Sequence, residues 1–132
     1  MKNPNNPCIF CFEKKSNIIK KNDLAYATYD PYPVSEKHTL IIPKRHIQNY
    51  FDLSDDEILA CNKLIKYLKK HIESIDSTVE GFNLGTNSGI VSGQSIFHCH
   101  IHLIPRRKGD VKNPQGGVRS VISSKQHYVR KL

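Results

Sequence analysis

The most informative part of the sequence is Phe97-His98-Cys99-His100-Ile101-His102-Leu103-Ile104-Pro105. This run predicts a strand over residues 96–104 that ends at Pro105. Because successive side chains of a strand point to opposite faces, the three histidines would share one face, spaced by roughly 6.6 Å. Cys99, Ile101 and Leu103 would form the opposite, apolar face, which we expect to pack against a helix.

Three imidazoles in strict alternation point to a function. They repel one another when protonated and need hydrogen-bond partners when neutral, so a metal site, a phosphate site and nucleophilic catalysis all remain possible. The preceding loop contains Asn87-Ser88-Gly89 and Gly93-Gln94-Ser95. Its backbone N–H groups, amides and hydroxyls suit phosphate oxygens. The loop and the histidines together therefore predict an anion pocket.

The rest of the chain predicts an α+β fold with an antiparallel sheet, because strands precede and follow one long helix without repeated helical crossovers. Ser54 and Glu57 form a capping-box pattern that begins the helix. Apolar residues then recur at helical spacing at Ile58, Cys61, Leu64, Leu68 and Ile72. The other predicted strands are Asn17–Lys20, Leu24–Tyr29, Thr39–Ile42 and Gly81–Thr86, and residues 8–12 are predicted to form a short turn or helical hook.

The length of 132 residues fits one domain. The net charge is +8, and residues 105–132 carry eight Lys/Arg and one acid, or +7 of it. That asymmetry favours an anionic partner such as phosphate or RNA, although a solvated basic tail explains it equally well. No apolar run approaches the roughly 20 residues that cross a bilayer, and the N-terminus lacks a secretory signal. We therefore expect a cytoplasmic protein with no membrane partner.

Four cysteines in such a protein are expected to be reduced, and metal binding or burial explains them better than disulfides. Cys8-x-x-Cys11 supplies half of a tetrahedral zinc site. Without a second such pair, histidines would have to complete the site. Cys61 lies on the apolar stripe of the helix and Cys99 on the core face of the strand, so both are expected to be buried.

These residues resemble the histidine triad (HIT) superfamily. Residues 98–104 resemble its HφHφHφφ signature, where φ is apolar, and the similarity covers roughly residues 8–110. It extends through Cys8–Cys11, Asp30, Pro43-Lys44-Arg45-His46, Asn87-x-Gly89 and Gly93-Gln94-Ser95. Residues 105–110 resemble the dinucleoside polyphosphate hydrolases, whereas Gln94-Ser95 also suits the nucleoside phosphoramidases. The intact third histidine, His102, argues against the nucleotidyltransferase branch.

The resemblance implies a HIT-like fold: a five-stranded antiparallel sheet with one long helix and a short N-terminal helix, continued across a homodimer. Residues 1–110 would form the HIT domain, with residues 1–7 as a loose arm. Residues 111–132 would form a basic tail that packs on the domain or on the partner subunit.

The resemblance also implies hydrolysis at the α-phosphate of a purine nucleotide derivative. His100 would attack phosphorus to give a nucleotidyl-histidine intermediate, and water would then release a nucleoside monophosphate. The other catalytic residues would be His98, His102 and Ser95, and the nucleotide-binding residues would be Asp30, Asn87, Gly93, Gln94, Ser95 and His102. Structural zinc would be held by Cys8, Cys11, His46 and His98, with no organic cofactor.

Ile9 and Phe10 or Leu24 would form an apolar slot for the nucleotide base. The remaining histidines, His38, His71 and His127, are assigned to structure or solvent. A nucleotide- or RNA-binding regulator with little turnover, and a zinc-stabilised scaffold with a vestigial pocket, are the alternatives to an enzyme.

Overall fold

The computed structural model describes residues 8–131 and contains five strands and one long helix. The predicted loose arm at residues 1–7 lies outside this range. The strands pair antiparallel throughout, in the order β1-β2-β3-β5-β4, which confirms the predicted α+β sheet. In chain order the elements are β1 (Ile18–Lys21), β2 (Ala25–Tyr29), β3 (Thr39–Pro43), α1 (Asp55–Ile75), β4 (Val79–Gly85) and β5 (Ile101–Arg107). The short N-terminal helix is one 3-10 turn at Lys15–Asn17, and residues 9–12 form turns.

Helix α1 begins where the capping box predicted. The Glu57 backbone N–H donates to Ser54 Oγ at 3.1 Å, and the Ser54 N–H donates to Glu57 Oε1 at 2.9 Å. The buried stripe of the helix packs on one face of the sheet and forms the main core with it. Its members are Cys61, Leu64, Leu68 and Ile72 from the helix and Ala25, Ala27, Ile41, Val79, Ile101 and Leu103 from the sheet.

Strand β5 is shifted along the sequence from its predicted position. It begins at Ile101 rather than Ile96, because the preceding segment turns to other backbone partners: the Cys99 N–H donates to the Ile47 carbonyl at 2.7 Å. The prediction that the three histidines share one face of one strand is therefore wrong in detail, since only His102 lies within β5. The core face of this segment is confirmed, because Cys99, Ile101 and Leu103 are all buried.

The strand also continues through Pro105 to Arg107, where we expected it to end. Pairing with β3 stops at Thr39–Leu103, so beyond that point β5 has strand pairing only with β4. The Pro105 carbonyl faces the open side and accepts a hydrogen bond from Ser35 Oγ at 2.7 Å. Because the N and carbonyl of one strand residue face the same neighbour, the missing N–H of Pro105 removes no ladder bond.

The opposite face of the sheet carries a smaller apolar cluster of Phe10, Tyr26, Leu40 and Ile42. This is the face on which the candidate site lies. The basic tail forms 3-10 turns at Gly117–Val121 and Ser123–Lys125, and the first of these contacts β4. Among residues 8–131, no helix combines the length and apolar composition needed to span a bilayer.

Candidate active site and metal centre

The three histidines of the motif have different surroundings. His98 is fully buried, His100 is 7% exposed and His102 is half-buried. The rings of His100 and His102 lie side by side, with centroids 5.2 Å apart. The ring of His98 lies against His46 instead, at a centroid distance of 5.0 Å. The structure thus separates the motif into a pair that faces one cavity and a third member that faces a cysteine cluster.

His100 is held in one tautomer by the backbone. Its Nδ1 lies 2.8 Å from the His98 carbonyl oxygen. A carbonyl can only accept, so Nδ1 carries the proton and the lone pair resides on Nε2. His100 also lines a cavity of about 260 Å³. This arrangement leaves the Nε2 lone pair able to act as a nucleophile at the cavity wall.

The tautomer of His102 is set by a residue that the sequence analysis assigned to structure or solvent. His38 Nε2 lies 2.9 Å from His102 Nδ1, and the Val34 backbone N–H donates to His38 Nδ1 at 3.1 Å. Since Nδ1 of His38 accepts, its proton resides on Nε2 and is donated to His102 Nδ1. A neutral His102 must therefore carry its own proton on Nε2.

Burial keeps both members of the His38–His102 hydrogen-bond relay neutral. It lowers the pKa of His102 to about 4, with the neighbouring His100 and His38 adding to the effect. Burial likewise lowers the pKa of His38, although Asp30 opposes the change. Both rings are consequently uncharged near pH 7, and His102 is a hydrogen-bond donor rather than an imidazolium ion. No sequence pattern marks His38, because its contact with His102 depends on the pairing of β3 with β5.

The cavity brings together most of the predicted nucleotide-binding residues. Polar groups on its wall come from Asp30, Asn87, Gly93, Ser95, His100 and His102, and apolar groups from Ile9, Phe10, Pro31, Tyr32, Leu40 and Ile96. Asp30 Oδ1 accepts a hydrogen bond from the Tyr32 backbone N–H at 2.9 Å. Its Oδ2 lies 3.6 Å from His38 Nε2. Leu24 is not part of this wall.

Gln94 lies behind the wall rather than in it. It is 4% exposed, and its Nε2 donates to the carbonyls of Gln48 and Ile96 at 2.7 and 3.1 Å. Its Oε1 accepts from the Gly89 N–H at 2.8 Å. Gln94 therefore holds the loop in shape, with glycines at both of its positive φ positions: Gly89 at 94° and Gly93 at 98°. A direct phosphate contact by Gln94 stays a prediction that would require these bonds to rearrange.

A second centre lies where Cys8 and Cys11 meet His46 and His98. His98 Nδ1 is 3.2 Å from His46 Nδ1, 3.3 Å from Cys8 Sγ and 3.5 Å from Cys11 Sγ. Cys11 Sγ is 3.1 Å from His46 Nδ1. Ligands of one tetrahedral zinc ion, bound at about 2.0 Å for nitrogen and about 2.3 Å for sulfur, lie about 3.3 Å (N–N) and about 3.5 Å (N–S) apart. The four side chains therefore fit one ion.

Hydrogen bonding supports this fit. His98 Nε2 donates to the Pro43 carbonyl at 2.7 Å, so the lone pair of His98 lies on Nδ1, which points into the cysteine cluster. Asp30, His38 and His102 also lie close enough to share an ion, with their ligand atoms within 4.8 Å of one another. In this second cluster the Val34 N–H donates to His38 Nδ1, so His38 Nε2 carries a proton rather than a lone pair for a metal. Asp30, His38 and His102 therefore form a hydrogen-bond relay.

Comparisons with known proteins agree with this geometry. A family model described as the HIT domain matches residues 12–109. An uncharacterized HIT-like protein from Methanocaldococcus jannaschii is 36% identical over 108 residues, covering 78% of this chain and 81% of that protein. An adenosine 5'-monophosphoramidase from Candida albicans is 32% identical over 107 residues, covering 76% and 70%. The crystal structure of a HIT family member from Bacillus subtilis aligns with a TM-score of 0.71 at 28% identity, covering 94% of this chain and all of that one.

Proposed function

The chain belongs to the HIT domain family, and from this premise we propose that it is a nucleotide hydrolase that cleaves dinucleoside polyphosphates or nucleoside phosphoramidates at the α-phosphate. One observation carries the proposal: His100 presents a lone pair on Nε2 at the wall of a cavity that also contains a carboxylate, an amide and a hydroxyl. The similarity to an adenosine 5'-monophosphoramidase supports nucleotide chemistry of this type.

The reaction proceeds by two displacements at phosphorus. His100 Nε2 attacks the α-phosphorus, a P–N bond forms to the imidazole, and the bond from phosphorus to the leaving oxygen or nitrogen breaks. The Nε2–H of His102 donates a hydrogen bond to the phosphate or the leaving group. Water then attacks the same phosphorus and breaks the P–N bond, which returns the lone pair to His100 Nε2 and releases a nucleoside monophosphate. The proton that water loses passes to the departed amine or phosphate, or to solvent. Splitting the displacement into two steps lowers each barrier.

The cavity wall provides for the rest of the substrate. The Asp30 carboxylate would accept hydrogen bonds from ribose hydroxyls. Asn87, Ser95 and the backbone at Gly93 contact the phosphates. Ile9 and Phe10 form an apolar surface for a purine base. In this scheme His98 contributes through its carbonyl, which orients His100, rather than by contacting the substrate.

Zinc is the metal that the cysteine and histidine donor set favours, and its role is structural. Cys8, Cys11, His46 and His98 would hold it as a closed four-ligand site, with no position left for water or substrate. A bound ion would attach the N-terminal segment to the sheet and fix the ring of His98. No organic cofactor is required by the reaction.

We expect the chain to act as a homodimer whose sheet continues into the partner subunit. Within the described residues, the sheet has open outer edges at β1 and at β4, either of which can pair with a second copy. Residues 1–110 are the proposed HIT domain, and residues 111–132 are a basic tail that packs on β4 or on the partner subunit. Light scattering of the purified chain tests the dimer directly.

The decisive experiment measures kcat/KM for diadenosine tetraphosphate and adenosine phosphoramidate with wild-type protein and with His100→Ala. The variant should lose at least about 10³-fold in turnover, because the other imidazole on the wall, that of His102, presents an N–H rather than a lone pair. Its affinity for AMP should stay within about threefold. His71→Ala, a histidine on the distant helix, is the matched control and should leave turnover unchanged.

Two outcomes would contradict the proposal. Undiminished turnover by His100→Ala would exclude the covalent route. A wild-type protein that binds AMP or RNA but hydrolyses neither substrate would instead favour the regulator, and removal of residues 111–132 should then weaken its RNA binding.

A further inference from the structure

Phe10 connects the metal centre to the nucleotide cavity. It lies between Cys8 and Cys11 in the segment Cys8–Cys11, here called the hook, and is 4% exposed. Its ring meets the edge of His98 at a centroid distance of 5.9 Å and that of His100 at 5.0 Å. One side chain therefore touches both a predicted metal ligand and the proposed nucleophile.

The same hook supplies part of the cavity wall. Ile9 and Phe10 both line the cavity, and Ile9 is 57% exposed, so it has apolar surface available to a ligand. The Tyr26 hydroxyl donates to the Phe10 carbonyl at 2.6 Å, which sets the height of the hook above the sheet. Any displacement of the hook thus moves the wall that faces a purine base.

A metal ion bound by the thiols on either side of Phe10 would limit that displacement. Cys8 and Cys11 belong to the hook, whereas His46 follows β3 and His98 precedes β5. An ion shared by these four side chains would cross-link the hook to the sheet. A nucleotide held against Ile9 and Phe10 would in turn keep the two thiols close to the two imidazoles.

We infer that Phe10 is a positioning residue through which metal and nucleotide bind with positive coupling, each raising the affinity of the other. The inference rests on the proposed function, since it requires a nucleotide in the cavity. Binding linkage makes the two effects equal in size. A single shared aromatic wall suggests a coupling of about tenfold, in the lower half of the usual 5- to 150-fold range.

The test uses the zinc-loaded full-length chain. AMP binding is measured by calorimetry, and zinc affinity is measured by competition with a colorimetric chelator, with and without saturating AMP. We expect AMP to strengthen zinc binding about tenfold. This readout requires no catalytic turnover.

The outcomes separate this inference from the proposed function. AMP that binds but leaves zinc affinity unchanged overturns the coupling alone. A chain that takes up no zinc also overturns the coupling and leaves the hydrolase proposal standing. AMP that does not bind to the zinc-loaded chain overturns the coupling, and it overturns the hydrolase proposal as well if neither nucleotide substrate is hydrolysed.

Two variants assign the coupling to the Phe10 ring. Phe10→Leu keeps an apolar side chain but loses the edge contacts, so zinc affinity without AMP should change by less than threefold while the coupling falls below twofold. Phe12→Leu, at the residue that follows Cys11, is the matched control and should keep the full tenfold coupling. Retention of the tenfold effect in Phe10→Leu overturns the role of Phe10.

Discussion

Replacing His38 with phenylalanine tests whether the relay to His102 sets the chemistry of the cavity. The phenyl ring keeps most of the volume but removes the donor that lies 2.9 Å from His102 Nδ1. Leaving a buried acceptor without a donor costs about 1–3 kcal/mol. His102 then also regains its second tautomer, in which a lone pair rather than an N–H points at the leaving group.

At about 1.4 kcal/mol per tenfold, that cost corresponds to a loss of roughly 5- to 150-fold in kcat/KM, carried mainly by kcat. The assay is steady-state hydrolysis of whichever substrate the wild-type protein turns over. Because His38 is 2% exposed, thermal unfolding must show that the variant is folded at the assay temperature. His71→Phe, whose native ring stacks on Tyr67, is the control and should stay within twofold of wild type. A folded His38→Phe enzyme within threefold of wild type would refute the relay.

Three further predictions concern stability and substrate affinity. Arg45 holds the pKa of the buried Glu57 carboxylate down at about 2. In urea titrations at pH 7, Glu57→Gln should therefore lower the free energy of unfolding by about 2 kcal/mol, and the exposed control Glu73→Gln by about 0.5 kcal/mol or less. Equal losses in the two variants would contradict this. The Arg107 guanidinium donates to the Glu36 carbonyl in the loop after Asp30. Because this loop adjoins the proposed ribose site, Arg107→Met should raise KM about fivefold with little change in kcat. An unchanged KM would show that this contact does not contribute to substrate binding. Because folding lowers the pKa of His102 from 6.5 to about 4, unfolding takes up a proton in this range, and the urea midpoint should fall as the pH drops from 6.5 towards 4, less steeply in His102→Gln; parallel curves would argue against a buried neutral ring.

The sequence by itself determined those features that neighbouring residues encode. The start of α1 follows from Ser54 and Glu57, which are three residues apart, and its buried face follows from the helical spacing of apolar side chains. The alternation after His98 correctly predicted a core face at Ile101 and Leu103. Composition and spacing near Cys8–Cys11 were enough to suggest a metal site. In each case the physical cause lies within a turn or two of the same element.

The tertiary structure decided everything that depends on backbone groups distant in the sequence. The lone pair of His98 points at the thiols because the Pro43 carbonyl, 55 residues away, accepts a hydrogen bond from the Nε2–H on the other side of the ring. Gln94 lies behind the cavity wall because its side-chain amide donates a hydrogen bond to the Gln48 carbonyl. His38 joined the site only when β3 paired with β5. Proton positions and strand limits depend on these long-range partners, and a linear pattern of residue types contains no information on which backbone group will face which ring.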